Sequence, residues 1–488
     1  MKRNERNALG LAVALAAVLS AAPAPAQSCP VKIGGILPLT GSMAPITKKI
    51  AQAAELAIEH VNQGGGVKGC PVQFILRDDQ GQPTVGVDAA KYLVEVERVP
   101  AFTGTISSGV TGPIISSVTA PSKVVQITCC STASPFTLDG RSGGYFFRTI
   151  PTSKTQAYAT ASETSRRGFK KTAVIYINTD FGTDMLRFYK AAVAKLGGDI
   201  IAEVPYNDNQ PSYRAEVTKA LAAKPESLLL IGFPKDAVTI VREWLSLGGT
   251  KTVALNNSMR TMDFVNGVGA KFVEDFFGMD NAQVAGPHVD AFNKAFEEKF
   301  QTDTKGPGVH TQYDALMVMA LAMNIAKDLT GPSIKDAVRR VHVANGTPVG
   351  TGPAEYKKAL ELIKAGKPIK YFGATGPIEF GQRRRDGPGP RVEDQGRPDR
   401  DRPHHHHRGD ADPVQARREL RCRSRTARPP SAPCRRVAPT SFSPTGSRSA
   451  AGRSARSRRA GSAGTSSGAG RSSTDRPCST ARSATPRG

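Results

Sequence analysis

The chain has 488 residues and a formal net charge of +24, with 39% hydrophobic and 6% aromatic residues. Its length allows two or three domains, and such a charge, if evenly spread, would favour a nucleic-acid partner. The charge is not evenly spread: residues 381–488 contain 25 Arg, no Lys and 9 acidic residues, and carry +16. The preceding residues carry only +8, which gives no reason to expect a specific nucleic-acid partner.

The N-terminus has the three parts of a secretory signal peptide. Lys2-Arg3 is a basic start, Ala8–Leu19 is an apolar run too short to span a bilayer, and an A-x-A cleavage site ends at Ala26. We therefore predict a signal peptide over 1–26 and an exported mature chain. Cys29 raises the alternative of a lipid anchor, although the usual aliphatic residue is missing before it.

Export permits disulfides, and two cysteines stand in similar sequence surroundings. Cys29 and Cys70 are each followed by Pro-Val and an apolar strand, with a helix between them. Neighbouring parallel strands would bring both cysteines to one sheet edge, so we predict a Cys29–Cys70 disulfide, with two free thiols as the alternative. The adjacent Cys129 and Cys130 are expected to be unpaired. No Cys/His spacing suits zinc, and no metal site is predicted.

Strands alternate with helices over the next part of the chain. The predicted strands are Val31–Leu37, Val72–Leu76, Val99–Gly104 and Val124–Thr128, and the helices are Ile46–Asn62 and one opened by Gln82-Pro83. This alternation predicts a parallel, doubly wound α/β sheet. Ligands of such sheets bind beyond the carboxyl ends of the strands, where Ser108 and Thr132 lie.

The stretch Gly104–Pro113 is a predicted loop of small residues between a strand and the short helical run Ile114–Val118. Backbone N–H groups and the helix dipole at such a turn can bind an anion, and Ser108 adds a hydroxyl donor. Because this stretch contains neither a GxGxxG nor a GxxxxGK[ST] motif, we favour a small carboxylate over a nucleotide phosphate and predict no cofactor. The alternative is an ordinary turn whose serines cap a helix.

A second α/β unit of similar size begins after Phe147-Arg148. Its predicted strands are Thr172–Ile177, Asp199–Val204, Ser227–Ile231 and Val253–Leu255, and its helices include one from Asp180 to Leu196. Helices then dominate over Val289–Phe300, Tyr313–Asp328 and Tyr356–Ala365. Two α/β lobes joined by short extended crossings suit a cleft that closes on a ligand by hinge motion.

The order and spacing of several short motifs resemble the periplasmic substrate-binding proteins of ABC importers, of the leucine/isoleucine/valine-binding type. The motifs are Ile33–Gly41, Asn62–Gly65, Gln82-Pro83 with Ala89-Ala90, Asp180–Gly182 and Tyr313–Ala315, within a resemblance that covers Cys29–Phe380. The family implies two doubly wound lobes joined by three hinge crossings. The implied boundaries are 27–147 and 279–374 for the first lobe, and 148–278 and 375–380 for the second, with crossings near Phe147-Arg148, Phe276–Met279 and Gly376–Ile378.

The resemblance implies that the cleft holds an amino acid by its head group. It puts Ser108 and Thr132 on the ligand carboxylate, with the backbone around Ser131 also available. On the second lobe it puts Phe181 and Phe233 against the ligand, with core packing as the alternative for each.

One position departs from the family pattern. Where amino-acid binders place an acid opposite the ammonium, this chain has Asn256-Asn257. Asn257 is therefore predicted to contact the ligand. Because a buried ammonium without a carboxylate partner is costly, Asp263 and Asp280 are the candidates to supply the missing negative charge.

Residues 381–488 contain no Lys, Asn, Ile, Tyr, Met or Trp and show no hydrophobic periodicity, so we predict a disordered tail. His404–His407 lack the fixed geometry of a metal site. The missing residues have A/T-rich codons, and translation one base later from Gly381 permits Asp-Asn-Gly-Asp-Val-Thr-Gly-Pro, which resembles the family's closing strands. We hypothesise a frameshift near Phe380 that removes the last strand of the second lobe. The alternative is a genuine basic tail that binds anionic surfaces or nucleic acid non-specifically.

These observations predict a non-catalytic protein that captures a small carboxylate-bearing solute, a branched-chain or other amino acid, for an ABC permease of the inner membrane. The alternatives are a binder of an aromatic acid or amide, a ligand sensor for a receptor partner, and a hydrolase or transferase. An enzyme is disfavoured because no HExxH motif is present. The isolated histidines are expected to be structural or solvated; they are His60, His288, His310 and His342.

Overall fold

The computed structural model describes residues 29–381 of the chain. The predicted signal peptide and the tail beyond Gly381 lie outside the described residues. Two five-stranded sheets are present, and all strand pairs within each sheet are parallel. The prediction of two parallel-sheet α/β lobes is therefore confirmed.

The sheet of the first lobe has the spatial order β2-β1-β3-β4-β5. Its strands are β1 (Val31–Leu37), β2 (Val72–Asp78), β3 (Ala101–Gly104), β4 (Val125–Thr128) and β5 (Phe146–Arg148), and the helices along this part are α1 (Ala44–Gln63), α2 (Pro83–Lys91), α3 (Ser108–Ile114) and α4 (Pro135–Leu138). Strands β3 and β4 are wholly buried, as expected for central parallel strands covered on both faces. At Gly34 in β1, an added Cβ would lie 2.8 Å from Phe102 Cβ, so glycine permits this close packing.

The sheet of the second lobe has the spatial order β10-β9-β8-β6-β7. Its strands are β6 (Lys171–Ile177), β7 (Asp199–Tyr206), β8 (Ser227–Ile231), β9 (Val253–Leu255) and β10 (Phe277–Gly278), and its helices are α5 (Ser153–Arg166), α6 (Asp180–Lys195), α7 (Arg214–Ala222), α8 (Pro234–Ser246) and α9 (Met262–Val268). β8 is fully buried at the middle of the sheet and is apolar after its first residue, Ser227. The only tryptophan of the chain, Trp244, is fully buried in this lobe's core.

The chain then adds four helices and a small sheet, most of which pack on the first-lobe core. These elements are α10 (Pro287–Phe300), α11 (Val309–Ile325), α12 (Gly331–Val338), β11 (Thr347–Val349), α13 (Pro353–Lys364), β12 (Ile369–Gly373) and β13 (Gly376–Pro377). Helix α11 is buried on all sides and packs on α1, which is typical of a central core helix. Within residues 29–381, no helix has both the length and the apolar character needed to cross a bilayer.

Three details differ from the sequence predictions. Helix α3 begins at Ser108, so the predicted loop as far as Pro113 is too long; proline's fixed φ is compatible with the helix that contains it. Helices α10 and α13 begin at Pro287 and Pro353, ahead of their first predicted residues, because proline at the first helical position needs no N–H partner.

The third difference concerns residues 375–380, which the sequence assigned to the second lobe. Strand β13 pairs with β12, and Ile378 is buried in the same apolar cluster as Phe147. These residues therefore pack on the first lobe. The buried carboxylate of Asp314 fixes the turn before them, because it accepts hydrogen bonds from the N–H groups of Ala374 (2.7 Å) and Thr375 (2.9 Å).

Candidate functional site

A narrow cavity of about 30 Å³ lies between the two lobes, at the carboxyl ends of their parallel strands. Its first-lobe side includes Ile46, Ile50, Ile106, Ser108, Cys130 and Thr132; its second-lobe side includes Phe181, Phe233, Asn257 and Ser258; Ile150, Pro307 and Gly308 complete the lining. This volume holds about two water molecules. Entry of a larger molecule therefore requires the lobes to separate, as in hinge closure.

Five of the six predicted ligand-binding residues line this one cavity: Ser108, Thr132, Phe181, Phe233 and Asn257. They meet because each follows the carboxyl end of a strand, and the two lobes turn these ends toward each other. Ser131 does not line the cavity. It is fully buried, and its hydroxyl donates to the carbonyl oxygen of Thr105 (3.2 Å). Its side chain therefore fixes the loop after β4 without facing the cavity.

The two hydroxyls on the first-lobe side each accept a hydrogen bond from a neighbour. Ser108 Oγ accepts from the N–H of Ala133 (3.2 Å), and Thr132 Oγ1 accepts from the hydroxyl of Ser153 (2.9 Å). A hydroxyl has one O–H proton and two lone pairs. Because these contacts use lone pairs, both O–H protons are left to donate to an anion in the cavity.

The loop that carries Thr132 is fixed by a half-buried arginine. The guanidinium of Arg148, on β5, donates to the carbonyl oxygens of Ser131 (2.9 Å) and Ala133 (2.9 Å). Burial lowers the pKa of Arg148 to about 10, so the group stays charged at neutral pH. This role is not visible in the sequence, because an arginine in a crossing segment carries no local pattern that indicates contact with a distant loop.

The remaining lining is mostly apolar. Ile46 and Ile50 project from α1 on one side, and the rings of Phe181 and Phe233 lie 6.0 Å apart between centroids on the other. Phe181 is in the first turn of α6, and Phe233 is the residue before α8. Both side chains also join the second-lobe core cluster, so cavity lining and core packing are not exclusive. The cavity is therefore lined both by hydroxyl donors and by an apolar surface.

The position opposite the hydroxyls is an amide with an acid behind it. Asn257 Nδ2 donates to Asp280 Oδ1 (3.0 Å), and Arg260 donates to Asp280 Oδ2 (3.0 Å). Asp263 instead lines another cavity of about 560 Å³, which adjoins the small one at Ile46 and Pro307, and it has no hydrogen bond to Asn257 among those of the described residues. Of the two candidate acids, Asp280 is therefore the one next to the cavity. Asn256 has a structural contact, since its Oδ1 accepts from the N–H of Gly232 (2.9 Å).

The two lobes contact each other directly beside the cavity. The buried carboxylate of Asp184, on α6, accepts from both the N–H (2.9 Å) and the hydroxyl (2.8 Å) of Ser134 in the first lobe. Next to it, an added Cβ at Gly112 would lie 2.7 Å from Asp180 Oδ2, so glycine lets helix α3 approach α6 without displacing that carboxylate. This contact is not visible in the sequence, because it depends on how the lobes face each other.

Cysteine pairing matches one expectation and corrects another. The structure contains a disulfide between Cys29 and Cys70, whose Cα atoms are 5.3 Å apart beside the neighbouring strands β1 and β2. Cys129 and Cys130, expected to be unpaired, also form a disulfide. Both sit at the end of β4, where the chain turns and brings their side chains together. Among residues 29–381, no group of three or more His, Cys, Asp or Glu is arranged to hold a metal ion.

A second cavity of about 530 Å³ adjoins the first at Ile150 and Gly308. Its lining includes Arg148, Asp280 and His310. Burial lowers the pKa of His310 to about 4, so this side chain is neutral at pH 7, and its Nε2 lies 2.9 Å from Asn293 Oδ1. His60 is likewise buried, with Nδ1 2.8 Å from the hydroxyl of Tyr313.

The family model for periplasmic binding proteins matches residues 30–359. The chain belongs to the periplasmic binding protein family. A relative from Halobacterium salinarum, the chemotactic signal transduction system substrate-binding protein BasB, is 25% identical over 358 residues, which are 72% of this chain and 83% of that protein. Leu/Ile/Val-binding protein homolog 3 from Brucella melitensis is 31% identical over 217 residues, 44% of this chain and 57% of that protein.

Solved structures agree with this periplasmic binding protein fold. The leucine-binding protein LivK from Thermotoga maritima superposes with a TM-score of 0.60 at 21% identity, covering 72% of this chain and 91% of LivK. A solute-binding protein of an ABC transporter from Rhodopseudomonas palustris, in complex with 3,4-dihydroxybenzoic acid, gives a TM-score of 0.54 at 21% identity, over 72% and 88% of the two chains. These family members and neighbours are named as binding proteins, not as enzymes.

Proposed function

We propose that this periplasmic binding protein captures a small amino acid with an apolar side chain, of the branched-chain type, and delivers it to an ABC permease of the inner membrane. The observation that carries the proposal is the cavity itself. It combines two hydroxyl donors, Ser108 and Thr132, with an opposed apolar wall that contains Phe181 and Phe233. Donors for a carboxylate and an apolar surface for a side chain are what such a ligand needs.

Asn257 and Asp280 complete the proposed head-group site. Because Asn257 gives its amide N–H to Asp280, its carbonyl oxygen remains available to accept a hydrogen bond from the ligand ammonium. The negative charge of Asp280 then lies one residue behind that contact. Periplasmic export follows from the family and from the predicted signal peptide, and N-terminal sequencing of the exported protein should begin at Gln27.

Isothermal titration with L-leucine, L-isoleucine, acetamide and 3,4-dihydroxybenzoate tests the proposal. We expect both amino acids to bind and the other two to bind more weakly. At a concentration a hundredfold above Kd, leucine should add about 2.7 kcal/mol to the free energy of unfolding. Loss of leucine uptake on gene deletion tests the transport role. No binding of either amino acid would refute the proposed ligand class.

An aromatic acid is the second candidate, because the cavity lining contains no carboxylate to pair with an ammonium. Asp280→Asn separates the two ligands: it should weaken leucine binding and leave 3,4-dihydroxybenzoate binding unchanged. Asp263→Asn, at the acid that does not contact Asn257, is the matched control and should change neither. A sensor role is a further alternative, supported by the chemotactic relative, and it predicts normal leucine uptake in the deletion strain.

A further inference from the structure

The disulfide between Cys129 and Cys130 lies at the proposed ligand site but has no part in the function proposed above. Cys129 is fully buried, whereas Cys130 lines the interlobe cavity together with Ser108 and Thr132. The two cysteines directly follow β4, and the N–H of Cys130 donates to Thr128 Oγ1 (3.1 Å). The pair therefore connects the end of the sheet to the residues that face the ligand.

The sulfur of Cys130 is closely packed on the side of helix α1 and the turn before α11. An added Cβ at Gly308 would lie 2.8 Å from Cys130 Sγ and 2.7 Å from Ile50 Cδ1. Gly308 has a φ of +81°, a conformation that favours glycine, so this backbone approach is built into the turn. Cys129 is enclosed by the core, and Gly308 lies against Cys130. The small cavity is therefore the free space next to the Cys130 sulfur.

We propose that the Cys129–Cys130 disulfide is a ligand-contacting part of the cleft floor, and that its reduction to two thiols lowers ligand affinity. This inference rests on the proposed function, since it assumes that the cleft binds the ligand. Two sulfur atoms that are no longer bonded must move apart. Because the buried Cys129 cannot yield, the Cys130 thiol moves into the cavity and takes space from the ligand.

The reductant is a dithiol such as dithiothreitol. Its thiolate attacks one sulfur of the Cys129–Cys130 bond and forms a mixed disulfide, which its second thiol then resolves. The protein disulfide gains two electrons and two protons to become two thiols, and the dithiol loses the same number to become a cyclic disulfide. Since reduction and ligand binding oppose each other, bound ligand should also slow the reduction.

The test measures L-leucine affinity of the full chain before and after dithiothreitol, with alkylation and mass spectrometry to establish that Cys129 and Cys130 are reduced. We expect affinity to fall by roughly tenfold or more on reduction, and leucine to protect the disulfide. The matched control is Cys29→Ser/Cys70→Ser, which removes the other disulfide and should keep the full response. The double variant Cys129→Ala/Cys130→Ala should show no response to dithiothreitol.

Unchanged leucine affinity after verified reduction of Cys129 and Cys130 would overturn the inference and leave the proposed function standing. Failure of the oxidised protein to bind leucine would overturn both. If the alanine variant does not fold, circular dichroism of the reduced natural chain keeps the test decisive, because a folded, reduced protein with normal affinity contradicts the inference. An equal response in the alanine variant would also contradict it, since the effect would then come from other cysteines.

Discussion

The two walls of the cleft are built in different ways. On the first lobe, Ser108 and Thr132 stand on segments fixed by hydrogen bonds to Ala133, Ser153 and the guanidinium of Arg148. On the second lobe, the wall contains two aromatic side chains at two helix starts, beside the polar Asn257 and Ser258. Directional donors discriminate between head groups, whereas an apolar surface discriminates mainly by shape and size. The first wall should therefore set the ligand's chemical class, and the second its side chain.

Removing the two hydroxyls of the first wall should have the largest effect on leucine affinity. Each hydrogen bond to a charged group contributes about 1.5–3 kcal/mol, so Ser108→Ala with Thr132→Ala should lower leucine affinity by roughly a thousandfold, or about 4 kcal/mol. Titration calorimetry measures this change. Ser122→Ala, at an exposed position, is the control and should bind normally. If the double variant bound leucine with an affinity within tenfold of that of the natural chain, the first wall would not determine which head group binds.

The lobes also differ in their buried histidines, since His60 and His310 both belong to the first lobe. Burial lowers the pKa of His310 to about 4 from an ordinary value of 6.5. The unfolded chain therefore takes up this proton first, and the histidine makes folding less favourable as pH falls from 6.5 toward 4, by about 2–3 kcal/mol.

Replacement of His310 by Gln removes this contribution. Relative to the natural chain, the free energy of unfolding of His310→Gln should therefore improve by about 2 kcal/mol between pH 7 and pH 4.5. Urea unfolding at both pH values measures the difference. A stability difference between the two proteins that does not change with pH would mean that His310 titrates normally in the folded state.

The aromatic wall should respond more weakly than the hydroxyls. Phe181→Leu with Phe233→Leu keeps an apolar surface but removes the contacts between two rings, which are worth about 0.5–1.5 kcal/mol. Leucine affinity should fall by about tenfold, and the preference between leucine and isoleucine should change. Titration with both amino acids measures the two effects. A loss as large as that of the hydroxyl variant would mean that the two walls contribute alike.

Weakening the contact between the two lobes should have the smallest effect on leucine binding. Asp184→Asn keeps an acceptor for one of the two hydrogen bonds from Ser134 but removes the charge, so the closed arrangement should lose about 1 kcal/mol. We expect leucine to dissociate about fivefold faster with little change in the association rate. Stopped-flow measurements separate these rates. A slower association with unchanged dissociation would contradict a role of this contact in holding the lobes closed.

Much of the architecture could be predicted because local patterns determine it. The bounds Val31–Leu37 and Ser227–Ile231 match the predicted strands, since a buried parallel strand is a continuous apolar run between turn residues. The proximity of Ser108 and Thr132 could be predicted from the sequence, because the carboxyl ends of parallel strands lie at one sheet edge. Their contact with a ligand remains a prediction.

Other features could not be predicted because they depend on three-dimensional contacts. Two adjacent cysteines give no indication whether their side chains turn toward each other, and Cys129 and Cys130 do so only in the particular turn after β4. The Ser134–Asp184 contact depends on how the lobes face each other. The pairing of β13 with β12 keeps residues 375–380 on the first lobe, and a linear pattern cannot distinguish that pairing from a crossing.

A crystal structure of the protein with bound L-leucine would show which groups hold the ligand. We expect the leucine carboxylate within about 2.7–3.2 Å of the hydroxyl oxygens of both Ser108 and Thr132, and the leucine side chain against Phe181 and Phe233. Leucine in the neighbouring 530 Å³ cavity, or in the cleft with its carboxylate turned away from both hydroxyls, would mean that these two residues do not bind the head group.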